Sequence, residues 1–260
     1  MSAVPQRRVL VTRPVHEARR WLDGLRAQGF DAQALPLITI APLQDTTRLD
    51  AVRADALDFK AWMFVSAAAV RHFLNGDARL VASDGPRCWA TGPGTVAALR
   101  DAGVPRHRID APDDASPRFD SEALWPLVAQ QVSAGTRVLL VRGAGEDDLP
   151  AGRDWLAGQI EAAGGQAHAV AAYRRTAPSW DEALTELARS ASSDGTIWLF
   201  SSSQAVANLR QLLPDVDWKA ACAICTHPRI GDAASAAGFG RVQVANAPLK
   251  ALAASIESFA

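Results

Sequence analysis

Short runs of branched and aromatic residues alternate with amphipathic segments along this chain. The run at 9–12 predicts a strand, and segment 17–28 puts Trp21, Leu22 and Leu25 on one helical face before Gly29 stops it. The apolar run 62–65 predicts a buried strand and 67–74 a helix, followed by a strand at 88–90 and a helix at 94–102 ended by Gly103. The same rhythm returns later, with strands expected at 138–141, 198–200, 221–225 and 242–244. Helices are expected at 155–163, 181–191, 205–213, 230–237 and 249–258. Strands and helices alternating at this spacing imply parallel sheets with helices on both faces, an α/β fold.

The rhythm also repeats in its residues. Arg8-Val9-Leu10-Val11-Thr12-Arg13 resembles Arg137-Val138-Leu139-Leu140-Val141-Arg142, and Trp21-Leu22-Asp23-Gly24 resembles Trp155-Leu156-Ala157-Gly158. Trp62-Met63-Phe64-Val65-Ser66 with Ala69-Val70 resembles Trp198-Leu199-Phe200-Ser201-Ser202 with Ala205-Val206. Thr91-Gly92-Pro93 before Ala102-Gly103 resembles Thr226-His227-Pro228 before Ala237-Gly238. The four pairs keep one order at an offset of roughly 130 residues, the signature of a duplicated unit. The extended stretches 30–42 and 166–178 are equivalent in the repeat and carry late prolines, Pro42 and Pro178. They are expected to run side by side as a two-stranded linker between two similar three-layer domains. The chain would start one domain, cross over, build the other, and return. That gives a discontinuous flavodoxin-like domain from 1–37 plus 174–260, and an inserted α/β domain from 38–173.

A net charge of −1 gives no pull toward nucleic acid or an anionic membrane. Only three of the 27 cationic residues are lysines (Lys60, Lys219, Lys250), so the chain is rich in the planar fork that grips carboxylates in pairs. No apolar run reaches the roughly 18 residues of a membrane span, and no signal core opens the chain, so a cytoplasmic location is expected. The odd set Cys88, Cys222 and Cys225 argues against a disulfide framework. Cys222 and Cys225 lie on one predicted strand facing opposite sides, which reads as buried structural thiols. A Walker phosphate loop, a dinucleotide glycine fingerprint, H-E-x-x-H and G-x-S-x-G are all absent from the sequence.

What remains is the set of strand ends. Ligands of parallel α/β sheets sit at the carboxyl ends of the strands, beside helix starts whose free amides and positive dipole attract anions. Those ends carry Thr12 and Arg13, Ser66 and Ala67, Thr91 and Gly92, Arg142 and Gly143, Ser201 and Ser202, and Thr226, His227 and Arg229. Such hydroxyls also serve as ordinary helix caps; what points to a polyanionic ligand is their recurrence at equivalent places in both units. Tyr173, the one tyrosine of the chain, falls on the return segment and is the candidate proton donor, with packing of its ring as the competing role.

Together, the repeated α/β units, the opening 9–14, the Phe-x-Ser-x-x-Ala-Val elements at 64–70 and 200–206, Thr91-Gly92-Pro93 and Ala172-Tyr173-Arg174-Arg175-Thr176 resemble the uroporphyrinogen-III synthase family over nearly the whole chain. The resemblance implies a two-domain lyase that takes hydroxymethylbilane, a linear tetrapyrrole polycarboxylate. It would expel water from the terminal hydroxymethyl group, invert the last pyrrole through a spiro intermediate and close the ring to uroporphyrinogen III. Neither a metal nor an organic cofactor is expected, and the partner is the tetrapyrrole alone, bound by a monomer in a cleft between the domains. Ala68 and the segment 227–230 depart from the family pattern. They motivate the alternative of a catalytically degenerate protein that binds a tetrapyrrole or another acidic ligand.

Overall fold

A computed structural model of the chain describes residues 7–113, 115–116, 118–145, 148–245 and 249–258. Its elements in chain order begin with β1 (Arg8–Val11), α1 (Val15–Ala27), β2 (Asp31–Ala34), β3 (Thr39–Ala41), α2 (Thr47–Ala54), β4 (Ala61–Phe64), α3 (Ala67–Leu74) and β5 (Arg87–Ala90). There follow α4 (Pro93–Asp101), β6 (Ile109–Asp110), α5 (Ser121–Val128), β7 (Arg137–Ala144), α6 (Trp155–Ala162) and β8 (Gln166–Thr176). Last come α7 (Glu182–Ser190), β9 (Ile197–Phe200), α8 (Ser203–Leu212), β10 (Cys222–Cys225), α9 (Pro228–Ala236), β11 (Arg241–Val244) and α10 (Leu249–Ser258). The chain divides into two compact units, Met1–Thr39 with Thr176–Ala260, and Ile40–Arg175.

The first unit holds a five-stranded sheet in the order β11-β10-β9-β1-β2, with parallel neighbours throughout. Strand alternation sends Val9, Val11, Ile197, Leu199, Cys222 and Ile224 to one face, where they pack on Ala18 and Leu25 of α1 and Leu252 and Ile256 of α10. The other face carries Trp198, set edge-on to Trp218 at 5.3 Å, and Trp218 stacks on Phe239 at 5.2 Å.

The second unit holds a six-stranded sheet, β3-β8-β7-β4-β5-β6. Trp62, Phe64, Cys88, Ala90, Leu139 and Val141 face the core under α3 and α4, while Ala61, Met63, Trp89, Val138 and Leu140 face Leu124 and Val128 of α5 and Leu156 and Ile160 of α6. Both sheet faces are thus covered, as strands apolar on both sides require.

The two sheets share one strand order: β11-β10-β9-β1-β2 in the first reads as β6-β5-β4-β7-β8 in the second. The registers match too. Leu10 lies beside Trp198, and Leu139 beside Trp62. Each of these two tryptophans buries its ring and donates its indole N–H to a carbonyl just upstream, Trp198 to Ala191 at 3.0 Å and Trp62 to Ala56 at 2.8 Å.

The structure departs from the sequence expectations in four places. The stretch 30–42 is not one strand: β2 joins the first sheet, and β3 lies beside β8 at the edge of the second. The two equivalent stretches therefore run side by side where β3 neighbours β8, and Arg174 Nε donates to Pro42 O at 3.1 Å just beyond β3. Second, β7 runs eight residues to Ala144, so Arg142 and Gly143 sit inside a strand, at a register irregularity against β8. Third, α2 and α5 have no counterpart among the helices expected from the sequence. α2 buries only Leu49 and shows little periodicity, and α5 carries Pro126 inside it, which reads as a helix breaker. Fourth, β6 has two residues, below any sequence signal. Cys88, Cys222 and Cys225 are free and buried, and burial pushes the Cys88 thiol up to about 11 and Cys225 to about 12. Among the described residues no helix is long and apolar enough to cross a membrane.

Candidate functional site

In the second unit, β4 ends at Phe64 and the chain stays extended through Ser66, with φ −164° and ψ 163°, before α3 starts. That geometry turns the Ser66 side chain back over the helix, and its Oγ accepts the Ala69 amide at 3.1 Å, an N-cap. Three residues along the edge of the same core, Gly143, Tyr173 and Arg175, complete the arrangement. The Tyr173 hydroxyl lies 3.1 Å from Ser66 Oγ and accepts Arg175 Nη2–H at 3.2 Å. Tyr173 and Arg175 alternate on one face of β8, as residues two apart on a strand must. Gly143 on the neighbouring strand makes room for the ring: a Cβ there would sit 2.9 Å from Tyr173 Cζ.

Tyr173 is 0% exposed and belongs to the hydrophobic core of the second unit. It therefore sits in a buried strand, where the sequence suggests an open return linker. The sequence reading missed Arg175 and His72 as its neighbours. The i, i+2 spacing of Tyr173 and Arg175 is a usable signal once the segment is read as a strand. His72 of α3 faces the tyrosine ring at 5.8 Å between centroids.

Burial first, then the charges of Arg71 and Arg53, hold the His72 pKa below the ordinary histidine value. The unfolded chain then takes up the proton first as pH falls. The stability tied to a neutral His72 is complete above about pH 6.5 and is lost as pH drops through the lower folded value. The urea midpoint should therefore fall on acidification below about pH 6.5, and His72→Gln should flatten part of that fall. Parallel pH profiles for the two proteins would remove His72 from the acid response.

The other strand-end candidates separate into those that are occupied and those that are open. Thr12 is 1% exposed and donates its Oγ1–H to Leu199 O at 2.8 Å, pinning β1 to β9. Arg142, 5% exposed, gives Nη1 to Asp154 at 2.8 Å and Nη2 to Arg153 O at 3.0 Å, which anchors the turn into α6. Arg13 bonds Glu17 at 3.3 Å and lies 4.3 Å over the Trp21 ring. These three side chains hold the fold.

The open set lies at helix starts. Ala67 is the half-buried first residue of α3. Gly92 is the N-cap of α4, with the exposed Phe119 against it and half-buried Thr91 beside it. Ser202 is the N-cap of α8 but makes no side-chain cap bond, and Ser201 beside it is half-buried. His227 caps α9 by accepting the exposed Arg229 amide on Nδ1 at 3.1 Å, next to half-buried Thr226. Of the candidate hydroxyls, then, only Ser66 is a side-chain cap. The starts of α4 and α8 leave their first amides without one, the state that suits an anion. Among the described residues no group of three or more His, Cys, Asp or Glu is placed to hold a metal ion.

Solved structures share this architecture. The uroporphyrinogen-III synthetase of Helicobacter pylori aligns over 98% of this chain and 100% of its own, with 14% identity and a TM-score of 0.57. A mutant uroporphyrinogen III synthase from the extremely thermophilic bacterium Thermus thermophilus aligns over 97% of this chain and 96% of its own, with 17% identity and a TM-score of 0.52. At such identities the likeness concerns the fold. The family model described as uroporphyrinogen-III synthase HemD matches residues 19–253, nearly the whole chain. The chain belongs to the uroporphyrinogen-III synthase family.

Proposed function

We propose that this chain converts hydroxymethylbilane to uroporphyrinogen III, with the strand-end amides holding the substrate and the hydroxyl pair of Tyr173 and Ser66 supplying the proton for loss of water. The observation that carries the reading is the family match over residues 19–253. The site chemistry agrees with it. Hydroxymethylbilane closes unaided at the free terminal carbon and gives the wrong isomer, so the enzyme must orient the last ring more than it must push protons. Fixed backbone dipoles do that without reorganising during the reaction, and the uncapped starts of α4 and α8 offer them. Departure of the hydroxyl still gains from an acid, and Tyr173 bonded to Ser66 is the hydroxyl pair at a strand end of the second unit. On this reading the enzyme works as a cytoplasmic monomer, and the shared strand order of the two sheets reflects duplication of one module.

The purified protein fed hydroxymethylbilane should release the type III isomer; type I alone would end the proposal. Tyr173→Phe should lower kcat about tenfold, the low end of general-acid effects, while the product stays type III. An unchanged kcat would take Tyr173 out of the mechanism.

A further inference from the structure

Tyr173 has no exposed surface, and its hydroxyl has two partners inside the protein. A phenol so placed does not itself reach a substrate. The hydrogens around it can be counted. Ser66 Oγ accepts the Ala69 amide and the Tyr173 oxygen accepts Arg175 Nη2–H, which leaves the two hydroxyl protons and one contact between the oxygens. One proton fills that contact and the other is left over. If Ser66 donates to Tyr173, the leftover proton is on a buried phenol, an unsatisfied donor that burial penalises. If Tyr173 donates to Ser66, the leftover proton is on the half-buried serine at the strand end. Burial thus selects the second arrangement.

We infer that Ser66, not Tyr173, hands the proton to the substrate, and that Tyr173 and Arg175 stand behind it as a relay. This rests on the synthase reading above. The C–O bond of the hydroxymethyl group breaks with its electron pair going to oxygen, and the Ser66 proton joins that oxygen as water leaves. The Tyr173 proton moves to Ser66, and the Arg175 guanidinium faces the phenolate oxygen as charge develops there. The cation left on the terminal methylene is shared with the pyrrole nitrogen and is consumed by ring attack. The proton lost when the attacked ring regains aromaticity returns to the relay, so the cycle consumes none. An ordinary cap, by contrast, can be replaced by another capping residue without loss of turnover.

The test measures kcat, KM, product isomer and melting temperature for Ser66→Ala, Ser66→Asn, Ser66→Thr, Tyr173→Phe and the double variant Ser66→Ala with Tyr173→Phe. Asparagine caps a helix as well as serine but has no hydroxyl, and threonine keeps both. The relay predicts that Ser66→Ala, Ser66→Asn and Tyr173→Phe each lose about tenfold in kcat, with KM little changed. Ser66→Thr should stay within about threefold of the parent, and the double variant should be no slower than the slower single one, because both lie on one path. A parent-like kcat for Ser66→Asn beside a slow Tyr173→Phe overturns the relay and leaves the tyrosine as donor. Losses that multiply to about a hundredfold in the double variant also overturn it, since the two hydroxyls then act separately. A parent protein that makes only type I overturns the synthase reading itself.

Discussion

Replacing Arg108 by Met is expected to cost about 3–5 kcal/mol of stability, the size expected when one member of a buried polar network is removed. Arg108 is 2% exposed, yet its guanidinium bonds backbone and sulfur, with no carboxylate among its described partners. Nε donates to Pro86 O at 2.9 Å, both terminal nitrogens reach Leu80 O at 3.3 Å, and Nη1 also reaches Ala82 O. The guanidinium carbon lies 5.5 Å from the Trp62 ring centroid, and a Cβ on Gly85 would touch Nη2 at 2.7 Å. One planar fork therefore ties the turn before β5 to the start of β6. Methionine fills much of the volume but withdraws the guanidinium from three carbonyls, so that Ala82 O keeps the Gly85 amide, Pro86 O keeps the weak Cys88 thiol donor, and Leu80 O loses both of its guanidinium bonds. Lysine should rescue little, because a point charge cannot spread over three acceptors in a plane. Both variants should unfold at lower urea concentration, with a drop in melting temperature of about 10 °C. A midpoint within error of the parent for Arg108→Met would show that the carbonyls find water instead.

That residue also marks where the sequence stops being readable. The segment Arg106-His107-Arg108 looks like a solvated basic loop, and nothing in one sequence says that its last arginine turns inward. The sheets are legible because every central strand is apolar on both faces, so Val9 to Val11, Trp62 to Phe64 and Trp198 to Phe200 stand out against their flanks. The repeat is legible for a related reason: Leu10 beside Trp198 and Leu139 beside Trp62 are the same packing solution written twice. α5 is hidden by Pro126, and β6 by its length.

The site shows the same division. Ser66 and Ser202 are recognisable as strand-end residues, but the bond that sets Ser66 apart comes from Tyr173, 107 positions away. Thr12 and Arg142 look identical in kind to Ser66 from the sequence. Their bonds to Leu199 O and to Asp154 depend on tertiary neighbours, which a strand-end pattern does not contain.

Gly143→Ala should be the most damaging single methyl for turnover, with kcat lowered by about tenfold, as far as loss of the tyrosine hydroxyl itself lowers it. The added Cβ would stand 2.9 Å from Tyr173 Cζ, 3.0 Å from Cε2 and 3.1 Å from the hydroxyl oxygen. A flexible surface side chain would swing away, but this ring is wholly buried between the Gly143 strand, His72 and the second unit's core. The cheapest escape moves the hydroxyl off Ser66 Oγ, which breaks the contact on which the proposed relay depends. Overpacking should also cost about 1–3 kcal/mol. The two effects separate in a double variant. Gly143→Ala with Tyr173→Leu relieves the clash, so its loss of stability should be smaller than the sum of the two single losses, while its kcat stays as low as that of the tyrosine variant alone. Recovery of both together would mean that the methyl acts on packing alone. A Gly143→Ala enzyme with the parent kcat would show that the tyrosine ring can shift without consequence, and the hydroxyl pair would then have no part in the reaction.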